Sequence, residues 1–221
     1  MNLTTLPARD RSAGTTTVVT PIVFVVDDDI SVRESLELLI RVAQWEPRLF
    51  ESAQAFLDHP RPSVPSCLVL DMNLPDLSGL DLQSLIAHDG SCMPIIFITG
   101  YGDIPATVRA MKAGAVEFLT KPFDDDVLLC AITDALETSR AALEHDRHVQ
   151  ALRILYATLT PREQEVMTMV VAGRMNKVIA ADLNISEITV KAHRGKVMRK
   201  MKVRSLADLV KTAATLSLPV A

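Results

Sequence analysis

Long apolar runs are missing from this 221-residue chain. None reaches the roughly 18 residues that a membrane-spanning helix needs, so no membrane association is expected. Aromatic residues make up only 4% of it, so Val, Leu, Ile, Met and Ala must pack any core. Three cysteines, Cys67, Cys92 and Cys130, are scattered without metal-ligand spacing, which argues against a thiolate metal site. Each has apolar neighbours and reads as a small buried hydrophobe, and the odd, dispersed set fits a reducing cytoplasm. The stretch Met1–Thr20 is polar and Thr-rich. Without an apolar h-region it reads as a disordered tail, not a secretory signal. No Gly-rich fingerprint follows the apolar run Ile22–Val26, which excludes a dinucleotide-binding oxidoreductase. Internal repeats and low-complexity tracts are absent.

What is present divides in two. The net charge of −4 conceals an acidic half and a basic half. Pro21–Arg140 hold 8 Lys and Arg against 19 Asp and Glu, a net −11. Thr158–Ala221 hold 11 against 5, a net +6, as expected of a module that meets a polyanion. In the acidic half, Ile22–Val26, Cys67–Leu70, Ile95–Ile98 and Val116–Leu119 read as buried strands, with a weaker one at Pro47–Phe50. Helical spacing occupies Val32–Val42, Leu80–Ile86, Ile104–Lys112 and a stretch from Asp124. This alternation predicts a five-stranded parallel α/β sheet covered on both faces, flavodoxin-like and doubly wound. Between Pro122 and Pro161 there is neither Gly nor Pro, and good helix formers dominate. A helical linker is therefore expected over residues 141–157. Beyond it, Thr160-Pro161-Arg162-Glu163 is a capping box with Pro at N1. Further helices are predicted over Asn176–Leu183, Ser186–Met201 and Ser205–Leu216, a four-helix all-α module spanning residues 158–221.

In open α/β sheets, ligands sit at the carboxyl ends of strands. There the acidic half places Asp27, Asp28 and Asp29, then Asp71, Thr99 and Lys121. An acid after a strand is commonly only a helix cap. Four strand ends presenting carboxylates, a hydroxyl and an ammonium to one edge point instead to a shared site. Clustered carboxylates need a cation, and hard oxygen ligands suit Mg²⁺. A carboxylate can also be a nucleophile that forms an aspartyl phosphate.

The motifs VVDDD (Val25–Asp29), LDMNLPDLSG (Leu70–Gly79), ITG (Ile98–Gly100) and Lys121-Pro122-Phe123 resemble the receiver-domain family, in order and spacing, over 21–140. The resemblance implies phosphorylation of Asp71. It also implies Mg²⁺ held by Asp27, Asp28, Asp71 and the backbone carbonyl of Asn73. Lys121 would contact the phosphoryl group, and the Lys121–Pro122 bond would be cis, as proline permits. Thr99 and Phe118 would form the switch, read out over Ile104–Asp134. Asn73 and Tyr101 would tune dephosphorylation, which Gly100 leaves accessible. An aspartate-nucleophile phosphohydrolase would carry a second Asp two residues on, where this chain has Asn73. The receiver is therefore expected to catalyse only its own phosphotransfer and dephosphorylation, not to be an enzyme with a separate substrate.

In the basic half, Asn184 tolerates the left-handed conformation of a tight turn, and Ser186 can cap the next helix. On that helix Val190, His193, Val197 and Met201 should face the core, leaving Lys191, Arg194, Lys196, Arg199 and Lys200 outward. Such a helix can enter the major groove. Leu159–Val210 resembles the LuxR-type helix-turn-helix family. The resemblance implies that Lys191, Ala192 and Gly195 face bases, while Lys177, Thr189, Arg194 and Lys196 hold phosphates. Gly195 offers no side chain where the family often reads a base. The last helix would be the dimerisation surface. Module order, Thr99–Asp103 and Ala110–Phe123 resemble the FixJ-like branch of two-component response regulators. That implies a sensor histidine kinase upstream, double-stranded promoter DNA downstream, and a homodimer on phosphorylation or DNA binding.

Overall fold

The computed structural model describes residues 20–88, 93–100 and 104–218. Residues 1–19 of the expected tail, Cys92 and Tyr101 lie outside the described residues. The chain divides into two compact units, the boundary falling after Arg140.

The first unit alternates β1 (Ile22–Val26), α1 (Ile30–Val42), β2 (Glu46–Phe50), α2 (Ala53–Leu57), β3 (Ser66–Asp71), α3 (Gly79–His88), β4 (Ile95–Thr99), α4 (Ile104–Lys112) and β5 (Glu117–Thr120). The strands form one parallel sheet in the order β2-β1-β3-β4-β5. β1, β3 and β4 are buried along their whole length, because each is apolar on both faces. One face packs Phe24, Phe56, Leu68, Leu70, Leu82 and Phe97 together. The other packs Val23, Val25, Ile40, Val69, Ile98, Leu128 and Ile132.

β2 is the weakly marked strand. It lies at the sheet edge, is half exposed, and carries Glu46, Pro47 and Arg48. α2 escaped sequence reading because it has only five residues. Its amides at Ala53 and Gln54 donate to the Asp76 carboxylate, more than twenty residues away, at 3.4 and 3.0 Å. Burial would raise the Asp76 carboxyl, but these backbone donors outweigh it and hold it below the usual value.

α5 runs unbroken from Asp125 to Ala157, a single helix of 33 residues. The last receiver helix and the expected linker are thus one helix. Cys130 on α5 is exposed, correcting the expectation that every cysteine is buried. Core positions on that helix fall to Leu128, Ala131, Ile132 and Ala135, which turns Cys130 outward. Cys67 is buried as expected, and burial pushes its thiol pKa well up.

In the second unit, α6 (Pro161–Val171), α7 (Asn176–Asp182), α8 (Glu187–Lys200) and α9 (Leu206–Thr215) enclose Val166, Met167, Ile179, Val190, Val197, Met201 and Leu209. The Thr160–Glu163 capping box is formed, and Ser186 caps α8. Asn184 takes φ 51°, the left-handed turn conformation that asparagine tolerates.

Candidate functional site

Strand register assembles the acidic pocket. Val26 pairs with Leu70, so Asp27 and Asp71 leave neighbouring strands side by side. Thr99 pairs with Thr120, which brings Lys121 next to β4, and the Lys121 amide donates to the Thr99 carbonyl at 2.7 Å. Asp71 and Thr99 are the final residues of their strands, each of which runs one position beyond its apolar run. The Lys121 ammonium donates to Asp27 Oδ2 and Asp71 Oδ2, both at 2.7 Å. One oxygen each of Asp27, Asp28 and Asp71 lies within 4.8 Å of the others. Asp28 is exposed, whereas Asp27 and Asp71 are buried.

The remaining acceptors are held in place. Asp27 Oδ1 accepts from the Asp29 amide and Asp71 Oδ1 from the Asn73 amide, both at 2.9 Å. Arg33 donates to the Asp27 carbonyl at 2.7 Å. Asp29, the third acid of VVDDD, points away and caps α1 through the Ser31 amide. Burial raises the Asp27 carboxyl above the ordinary value, only partly opposed by Lys121 and the Asp29 amide. For Lys121, burial acts downward, but its two carboxylate partners prevail and raise the amine above its usual range. Two carboxylates thus share one ammonium, and with Asp28 beside them they form an oxygen-donor set of the kind a hard divalent cation takes.

Thr99 is fully buried, with the Asn73 side-chain amide 3.5 Å from its hydroxyl. Phe118 lies half-buried, its ring 6.3 Å from that of Phe97. Gly100 is exposed, and the Lys121–Pro122 bond is cis.

Gly79 was quoted only as the end of a motif, yet it supports the pocket from behind. A Cβ there would lie 2.8 Å from the Asp71 carbonyl oxygen and 2.9 Å from Phe97 Cε1. The close approach of α3 to β3 needs hydrogen at that position. Gly79→Ala is expected to cost about 1–3 kcal/mol by overpacking and to slow phosphorylation of Asp71. Chemical denaturation and phosphate incorporation would check it, and unchanged values in both would refute it.

The second unit presents Lys177 on α7 and Lys191, Ala192, Gly195 and Lys196 on α8, all exposed. Thr189 is half-buried, its hydroxyl 2.8 Å from Ser186 Oγ. Arg194 is half-buried too and donates to Asn176 Oδ1 at 2.6 Å. Of the expected core residues on α8, Val190, Val197 and Met201 are buried. His193 is half-buried, and its Nδ1 has no partner among the described residues.

Lys200 departs from expectation. It does not join the outward cations of α8. It folds back to Glu163 Oε2 at 2.6 Å and the Thr158 carbonyl at 2.9 Å. Glu163 is only 3% exposed, so its buried carboxylate, already accepting from the Thr160 amide in the capping box, draws the nearest long cation inward. Lys200 first, then the Thr160 amide, hold the Glu163 carboxyl below its usual 4.5. A lowered folded-state pKa stabilises above the unfolded value and loses that contribution as pH falls through the folded one. Glu163→Gln should therefore flatten the acid limb of stability below about pH 4.5, as thermal melts across that range would show.

A receiver-type sheet joined to a helix-turn-helix of this kind defines a signal-responsive transcription factor. Residues 23–133 match the response regulator receiver domain family, and residues 157–213 match the luxR family of bacterial regulatory proteins. Nodulation protein W of Bradyrhizobium diazoefficiens is 52% identical over 95% of this chain and 92% of its own length. Response regulator protein TmoT of Ectopseudomonas mendocina is 44% identical over 88% of this chain and 89% of its own. The solved structure of response regulator StyR is 48% identical, covers 89% of this chain and 99% of that one, and superposes with a TM-score of 0.78. The chain belongs to the response regulators that join a receiver to a LuxR-type DNA-binding domain. Among the described residues, no helix is long and apolar enough to cross a membrane.

Proposed function

We propose that Asp71 accepts a phosphoryl group from a sensor histidine kinase, and that this promotes dimerisation and promoter binding by residues 158–221. The observation that carries the reading is the Lys121 ammonium bridging Asp27 and Asp71, with Asp28 alongside. An oxygen of Asp71 attacks phosphorus as the bond from phosphorus to the kinase imidazole breaks, leaving an acyl phosphate on Asp71. Lys121 neutralises charge on the phosphoryl oxygens. Asp27, Asp28, Asp71 and the Asn73 carbonyl would hold Mg²⁺, which supplies further charge neutralisation when bound.

Thr99 turns its hydroxyl to the phosphoryl group, and Phe118 moves inward to fill the vacated space. This shifts the population of receivers toward a dimerising state. Two basic domains then reach paired half-sites together. Lys177, Thr189, Arg194 and Lys196 hold phosphates while Lys191, Ala192 and Gly195 face bases, and α9 supplies the dimer contact. Residues 21–140 act as the receiver and 141–157 as the linker. The protein works in the cytoplasm, and the receiver has no catalytic turnover beyond its own phosphotransfer and dephosphorylation.

Footprinting on genomic fragments tests the reading, with the full chain treated or not with acetyl phosphate and Mg²⁺. Phosphorylation is expected to lower the concentration needed for protection and to favour dimers in sedimentation. Equal protection by both samples would mean a phosphate-blind receiver and overturn the proposal.

A further inference from the structure

The face of α8 turned away from the core is uncharged along its centre line from Ile188 to Gly195, and exposed Arg199 ends that line. With 3.6 residues per turn, Ile188, Ala192 and Gly195 fall on one line, opposite the buried Val190 and Val197. Exposed Lys191 and Lys196 flank that line.

Two features of the line have no explanation inside the protein. Ile188 is 79% exposed, the highest among the exposed large hydrophobics of the described residues. A β-branched apolar side chain in the first turn of a helix gains nothing from water and is a poor helix former. Gly195 is the second. It sits inside a 14-residue helix, has no positive φ, and a Cβ added to it would meet nothing within 4 Å. Neither conformation nor packing within the chain calls for glycine, which weakens a helix interior relative to alanine. Both features make sense if the line is covered from outside by a surface that comes close at Gly195 and is apolar at Ile188. The flanking lysines make that surface a polyanion.

In the major groove the one apolar group on a base edge is the 5-methyl of thymine. Resting on the DNA-binding reading, we infer that Ile188 is a specificity residue: it reads a thymine methyl, while the small Ala192 and Gly195 let α8 approach the base edges closely. The half-site is thus selected partly by methyl contact rather than by hydrogen bonds alone. The same group on 5-methylcytosine would be accepted at that position.

The test uses the full chain treated with acetyl phosphate and Mg²⁺. Bound duplexes are first selected from a random library. Each thymine of the selected half-site is then replaced singly by uracil, which removes the methyl and keeps the hydrogen-bonding edge. At one thymine at least, the replacement should weaken binding about fourfold, the equivalent of one lost methyl burial. Ile188→Ala should bind the thymine and uracil duplexes equally at that position. Its salt dependence should match the parent, because no phosphate contact is lost. Gly195→Ala should melt at a higher temperature yet bind the selected duplex more weakly.

Uracil tolerated at every position, or discrimination persisting in Ile188→Ala, overturns the inference while leaving DNA binding intact. Unchanged affinity in Gly195→Ala overturns the close approach. Failure to bind any duplex at low salt would overturn the underlying DNA-binding reading, and this inference with it.

Discussion

An Asp71→Asn chain is expected to take up no phosphate from acetyl phosphate under conditions that phosphorylate the parent. The carboxamide lacks the anionic oxygen that forms the acyl phosphate, and no neighbour can replace it. Asp27 is fully buried beneath Lys121 with Oδ1 committed to the Asp29 amide, and Asp28 has no ammonium of its own among the interactions described. The substitution keeps size and shape, and the amide oxygen can still accept from Lys121 and the Asn73 amide. It also removes one of three crowded carboxylates. Folding stability should therefore hold or rise while modification disappears. Intact-protein mass spectrometry after incubation, beside a thermal melt, reads both. A phosphoryl adduct on the variant would move the acceptor elsewhere and dismantle the assignment.

Lys121→Met should have the next largest effect. The ammonium touches both buried carboxylates, and among the described ion pairs it is the cation that contacts them. Losing a positioned donor of this kind lowers rates on the order of 10²- to 10³-fold. The fall should appear in the rate of phosphate uptake at saturating Mg²⁺. A loss below about tenfold would show that Lys121 serves mainly to neutralise Asp27 and Asp71 in the resting protein.

Much of this was legible in the sequence, for reasons that differ from residue to residue. β1, β3 and β4 are apolar on both faces, so each announces itself as an uninterrupted run. The acids were found because the residues that follow each apolar run can be read, ligands of open α/β sheets sit at the carboxyl ends of strands, and the motifs resemble a receiver. Hidden from sequence was whatever depends on partners distant along the chain. α2 is anchored by Asp76, and five residues give no periodicity to detect. Lys200 lies on the helix that carries the free cations, and only the buried Glu163 reveals why it turns inward. Arg194 is likewise half spoken for by Asn176, so its availability to a phosphate depends on giving up that bond. Gly79 could be seen as a motif letter, but the backbone it must clear could not.

Pro47 carries a further consequence. It stands in β2 at the outer margin of the sheet and, lacking an amide hydrogen, withholds a donor that an incoming strand would use; Glu46 and Arg48 add charge on either side of it. That margin is a poor template for lateral growth by another copy of the chain. For the reversible pairing proposed above, a border of this sort disfavours strand-to-strand stacking and leaves self-association to helical surfaces.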